Sequence, residues 1–264
     1  MDLTNVYIGF ALATFAGLST GIGSLLGLYS KFENKRLLSL ALGFSAGVMI
    51  YVSFMELLLL SFDSLGGLYG DTYGKLISVT AFIGGLLLML FIDQLFDHHS
   101  IADFIARSSN KDETLLVRTG VFSAFALAIH NFPEGFATFT AAVYDPTVGV
   151  TLATAIAIHN IPEGLAVSVP IYYATKSKAK AFWISFASGL AEPIGALIGF
   201  LIFRTVYNEA LFGISFALCA GIMIYVSLNE LLPVSKEYGK PSDPIMGVTA
   251  GIIVMAISLI LMYA

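Results

Sequence analysis

The chain has 264 residues, 57% hydrophobic and 12% charged, with a formal net charge of −5 and a mean hydropathy of +0.86. A soluble domain carries about 25% charged residues, so this composition excludes a water-soluble fold, and no nucleic-acid partner is expected. The single Cys219 excludes a disulfide framework and any zinc site built on thiolates.

In chain order, runs of apolar residues long enough to cross ~30 Å of hydrocarbon predict eight helical spans. The first covers 5–29. Its start, MDLTNVYIGF, lacks a basic segment and reads as the beginning of a retained span rather than a cleaved signal. The second covers 37–62 and carries Glu56. The third covers 75–97 and ends at Asp93 and Asp97, beside His98 and His99 in a cytoplasmic loop over 98–114. The fourth and fifth, 115–142 and 147–173, are joined through Tyr144-Asp145-Pro146. The sixth (179–206) contains Glu192, the seventh (209–232) contains Glu230, and the eighth covers 244–263. Helices are required because a backbone in lipid must satisfy its own hydrogen bonds, and the segments are too long and continuous for barrel strands.

Basic residues cluster on one side of this series. Lys31, Lys35, Arg36, Arg107, Lys111, Arg118, Lys176, Lys178, Lys180, Lys236 and Lys240 fall in or beside the odd-to-even connections, against Lys75 and Arg204 on the other side. That asymmetry predicts odd-to-even loops in the cytoplasm and both termini outside, in a cell inner (cytoplasmic) membrane.

The chain also repeats itself. Gly47–Leu58 (GVMIYVSFMELL) returns as Gly221–Leu232 (GIMIYVSLNELL), identical at nine of twelve positions and offset by 174. Gly17–Gly27 matches Gly189–Gly199 at six of eleven, offset by 172, and Val79-Thr80-Ala81 returns as Val248-Thr249-Ala250, offset by 169. Spans one to three therefore correspond to six to eight in inverted orientation. Ala126–Gly135 (ALAIHNFPEG) and Ala155–Gly164 (AIAIHNIPEG) agree at eight of ten positions and make spans four and five a central pair. The expected fold is an all-α integral membrane protein, one domain with a 3+2+3 inverted-repeat architecture. Inverted repeats with Pro/Gly-interrupted helices at matching positions point to a transporter with its site near the midplane.

The repeated H-N-x-P-E-G carries the chemistry. A charged side chain at mid-bilayer costs at least ~3 kcal/mol and needs a partner or a function. His130 and Glu134 are four residues apart and share a helix face with Asn131; His159, Asn160 and Glu163 do the same on the second helix. A dication between the helices would find two imidazoles and two carboxylates, a plausible zinc set. Pro133 and Pro162 each free a carbonyl four residues back, at Ile129 and Ile158, and open space beside the ligands. Glu192, in GLAEPIGA, is expected to join this site. Glu56 and Glu230 read equally as metal ligands or as pathway-lining or interfacial acids. Asp93, Asp97, His98 and His99 read as an exit-side relay or a solvated loop tip, and Cys219 as a small core residue.

With both motifs, GLAEP and the ELLP of span seven, the chain resembles the ZIP (Zrt/Irt-like) metal-uptake family over essentially its whole length. The resemblance implies one metal held by His130, Glu134, His159 and Glu163. It implies a second involving Asn131, Asn160 and Glu192, with Glu134 and Glu163 bridging. It further implies a homodimer, uptake into the cytoplasm, and spans one, four, five and six moving as a unit past the others. Loop three–four has only His98 and His99 where a long His tract would suggest regulation, and Pro193 directly after Glu192 bears on that ligand's placement.

Nitrogen and oxygen donors suit Zn²⁺ and neighbours such as Fe²⁺, Mn²⁺, Co²⁺ and Cd²⁺, and disfavour Cu⁺. The metal is cargo, and no cofactor is expected. Two other functions use similar residues. An intramembrane metalloprotease would need HExxH, which the chain lacks. A passive metal channel is not separated from a carrier by sequence.

Overall fold

A computed structural model describes residues 2–29, 35–95, 111–206 and 208–263. The expected relay residues Asp97, His98 and His99 lie outside them. The described residues are helical throughout: α1 (Leu3–Tyr29), α2 (Lys35–Val52), α3 (Leu58–Tyr69), α4 (Asp71–Leu95), α5 (Lys111–Tyr144), α6 (Pro146–Thr175), α7 (Lys178–Gly189), α8 (Ala191–Thr205), α9 (Glu209–Val226), α10 (Leu232–Tyr238) and α11 (Asp243–Tyr263). Seven stretches of them are long and apolar enough to cross a membrane, and α5, at 34 residues, carries the first motif. The protein is a multi-pass helical membrane protein.

Two predicted spans are continuous rods only in part. Span two consists of α2 and α3 joined by a π-helical turn at Ser53–Leu57, and span seven of α9 and α10 joined by one at Ser227–Leu231. These turns correspond at the offset of the sequence match itself, and they hold Glu56 and Glu230. Nothing in the hydropathy announces them; a π turn inserts one residue into an otherwise regular ladder. Span six breaks at Leu190 between α7 and α8. Pro193 has no N–H to give and crowds the carbonyl of Gly189, four residues back. The break puts Glu192 in the first turn of α8.

Packing divides the helices into two groups. α1, α5, α6, α7 and α8 pack on one another, as do α2, α3, α4, α9, α10 and α11, and the groups meet chiefly where α2 lies on α6 and α9 on α5. In α6, 72% of the apolar window is buried, against 17% in α4 and 28% in α11, so the motif helix is central and the latter two lie at the periphery. At one end, Asp243 accepts from Arg36 Nε (3.2 Å) and from the Lys240 N–H (2.9 Å), tying α2 to α11.

Small residues set the helix spacing, and the close contacts recur in pairs. Gly164 presses on the Thr20 carbonyl, and Gly135 on that of Glu192; Gly23 presses on the Ile161 carbonyl, and Gly195 on that of Phe132. Each second contact is the first carried along the repeat, by an offset of 172 on one helix and of 29 on the other. Gly17 and Gly189, mates at that same larger offset, face each other's carbonyls. In the second group, Gly85 lies on the Leu218 carbonyl, and Gly251 on that of Phe44, the repeat mate of Leu218. α4 and α11 therefore correspond at an offset of 166. The Val79-Thr80-Ala81 match at 169 is one helical turn out of register. Contact with a neighbour's carbonyl needs the glycine aligned, and a short apolar string does not.

Candidate metal site

α5 and α6 run unbroken through Pro133 and Pro162. α6 starts cleanly because Asp145 accepts from the Thr147 N–H (2.7 Å) and Pro146 occupies the first position. The motif side chains meet between the helices: His130, Asn131, Glu134, His159, Asn160, Glu163 and Glu192 are each at most 2% exposed.

The four His and Glu side chains pair crosswise. His130 Nε2 lies 3.2 Å from Glu163 Oε2, and His159 Nε2 lies 3.3 Å from Glu134 Oε2. Each pair takes one residue from each helix. Among the described residues, no three His, Cys, Asp or Glu side chains are arrayed as a ready-made metal cage.

The polar contacts around these pairs orient the lone pairs. His159 Nδ1 lies 3.1 Å from the Ala155 carbonyl, which can only accept, so Nδ1 carries the proton. That leaves Nε2 and a carboxylate oxygen, both lone-pair bearers, facing each other. A positive charge, either a proton or a metal ion, has to lie between them. Asn160 donates both amide hydrogens, to Ala16 O (2.9 Å) and to Glu192 Oε1. Asn131 Nδ2 donates to Ser188 O (3.3 Å). The amide oxygens Asn131 Oδ1 and Asn160 Oδ1, with Glu134 Oε1, Glu192 Oε2 and His130 Nδ1, are buried and without a hydrogen-bond partner. An orphaned buried acceptor costs about 1–3 kcal/mol. Five of the eight such side-chain atoms among the described residues belong to these seven residues.

Of the outlying acids, Glu230 approaches the site, with Oε2 3.7 Å from His130 Nδ1. Asp93 accepts instead from Tyr225 Oη (2.9 Å) and from Nδ2 of Asn229 (3.3 Å), next to Glu230 in sequence. Glu56 is buried in its own π turn, the mate of the turn that holds Glu230.

Sequence reasoning missed Ser45. Its hydroxyl donates to Glu163 Oε1 (3.2 Å) and lies 3.4 Å from His159 O. It sits two residues before the repeat as matched from Gly47, and carrying the match back to Gly43 would have paired it with Cys219. Cys219 is the buried core residue expected, with Sγ 3.5 Å from Pro133 O.

Residues 105–259 match the family described as ZIP Zinc transporter. A zinc transporter ZupT from Chlorobium chlorochromatii (strain CaD3) is 51% identical over 263 residues, covering 97% of this chain and 98% of that protein. Those of Oceanobacillus iheyensis and Streptococcus mutans serotype c are each 48% identical, covering 98% and 97% of this chain and 100% and 98% of their own lengths.

Proposed function

Because the chain belongs to the ZIP zinc transporter family, we propose that it carries divalent metal, Zn²⁺ foremost with Fe²⁺, Mn²⁺, Co²⁺ and Cd²⁺ as further substrates, across the inner membrane into the cytoplasm. The family is one of transporters, so the metalloprotease alternative falls away.

The observation that carries the site is the facing pair of lone-pair bearers, His159 Nε2 and Glu134 Oε2, with the Nδ1 proton committed to Ala155 O. A dication entering there replaces a shared proton and gains His130 and Glu163 from the mirror pair. Asn131 Oδ1, Asn160 Oδ1 and Glu192 Oε2, all orphaned, support a second metal, bridged by Glu134 and Glu163. The paired glycine contacts support the 3+2+3 inverted repeat. The two packing groups support α1 and α5–α8 moving as one body past the rest, an elevator-type alternation. The basic-residue asymmetry supports cytoplasmic odd-to-even loops and outside termini. A homodimer is proposed from the family resemblance.

Zinc uptake by purified protein in proteoliposomes tests this reading. Saturable uptake with low turnover is expected of a carrier, with a pH change inside as metal exchanges for protons at the ligands. Flux that rises without saturation would identify a channel instead.

A further inference from the structure

Ser45 on α2 and Cys219 on α9 are repeat mates, at the offset of 174 that relates spans two and seven. His159 and His130 are mates across α6 and α5, as are Pro162 and Pro133. If the two halves were equivalent, Cys219 would lie beside the His130 carbonyl and reach Glu134, as Ser45 lies beside the His159 carbonyl and reaches Glu163. Instead Cys219 lies beside the Pro133 carbonyl, three positions further along α5.

The mismatch sits only between the two packing groups. Within the first group the glycine contacts obey the offsets of 172 and 29 without slippage, and within the second they obey 174 and 166. The first group is therefore displaced as a body relative to the second. Three positions of α-helix amount to ~4.5 Å. The histidines carry the same asymmetry: His130 Nδ1 faces Glu230 at 3.7 Å, whereas His159 Nδ1 is turned to Ala155 O.

Resting on the moving-body reading above, we propose that Ser45 and Cys219 are paired positioning residues that hold the two metal-site carboxylates in turn, one in each facing state. In the state described, Ser45 holds Glu163 through Oε1 while His130 meets Oε2, and Glu134 keeps an unpartnered Oε1. A slide of α1 and α5–α8 by one turn exchanges the halves. Ser45 then lies beside the Pro162 carbonyl and releases Glu163, and the Cys219 thiol comes beside the His130 carbonyl and donates to Glu134. The free carboxylate oxygen thus alternates between Glu134 and Glu163. Between the two groups lies an apolar cavity of about 610 Å³, lined from both sides by Leu88, Met89, Ile194, Leu218 and Cys219 among others, so little polar contact has to break there. A thiol is the weaker donor, so the two holds are unequal.

The test is zinc KM measured separately from each face of proteoliposomes with uniformly oriented protein. Loss of one hydrogen bond of ordinary strength is worth roughly fivefold to tenfold. Ser45→Ala is expected to raise KM about fivefold from the face on the Glu230 side, and less than about twofold from the other. Cys219→Ser, which installs the stronger donor, is expected to lower KM several-fold from the opposite face. In the Ser45→Cys/Cys219→Ser exchange the two changes should appear together, with the side preference of the wild type reversed. Shifts of equal size from both faces, or none from either, would overturn the proposal. Glu163→Ala in the same vesicles separates it from the reading beneath: if Glu163→Ala still transports, the site itself is wrong. If Glu163→Ala is dead while the Ser45 and Cys219 variants act equally from both faces, only the alternating hold is wrong.

Discussion

At the scale of single residues, the site combines two kinds of polar atom. Some are committed, such as the amide hydrogens of Asn160, spent on Ala16 O and Glu192 Oε1. Others are left with lone pairs and no donor, such as Glu134 Oε1 and the amide oxygens of both asparagines. Glu134→Ala removes a carboxylate paired with His159 and proposed to bridge both metals, and is expected to abolish zinc uptake with the protein still inserted. Radiolabelled zinc uptake alongside membrane yield checks both halves of that statement. His159→Ala leaves three of the four proposed primary ligands and removes a borderline nitrogen donor. Its expected effect is a shift of preference away from Zn²⁺ toward oxygen-favouring Mn²⁺, read by competition among the divalent ions. Since a metal ion and a proton compete for the same Nε2–Oε2 gap, uptake is expected to fall as the outer pH is lowered. A pH profile of initial uptake rates would show the fall or its absence.

At the scale of elements, interruptions and close approaches place these residues. Pro193 breaks span six at Leu190 and sets Glu192 in the first turn of α8; an unbroken helix would carry that carboxylate elsewhere. The glycines of both motifs let backbones touch. A Cβ on Gly135 would meet the backbone of Glu192, which cannot swing aside as a side chain can. Gly135→Ala is therefore expected to force α5 and α8 apart at a cost of about 1–3 kcal/mol, seen as a lower melting temperature in detergent together with weakened zinc binding. Gly67, with nothing near its Cβ position, provides the control: Gly67→Ala should leave both nearly unchanged. The π turns at Ser53–Leu57 and Ser227–Leu231 show how unequal equivalent elements become in one conformation. Glu230 is partly exposed and approaches His130, whereas its mate Glu56 is buried.

At the scale of the whole molecule, the two packing groups meet chiefly through α5 and α6 of the first and α2 and α9 of the second, and α4 and α11 leave most of their apolar surface exposed. The proposed orientation can be tested without touching the site. A reporter active only outside the cytoplasm is expected to work when placed in the α5–α6 connection at Asp145 and to fail when placed after Lys176. The reverse pattern would invert the direction assigned to every loop.

Much of this was legible in the residues alone. Hydropathy pointed to the spans, and two copies of H-N-x-P-E-G marked the candidate ligands, because ionisable groups are rare in hydrocarbon and a repeated set of them is rarer still. The structure brings all seven expected ligands together within one buried region. The tertiary structure alone decided four things: the crosswise His–Glu pairing, the orphaned lone pairs, the Ser45 donor, and the register of α4 on α9 and of α11 on α2. Each depends on which atoms face each other across two helices. A sequence lays down the face of its own helix, since about 3.6 residues per turn follow from the chain itself. The height at which one helix stands against another is set by backbone contact at small residues, and here that height differs by one turn between two halves whose sequences nearly coincide.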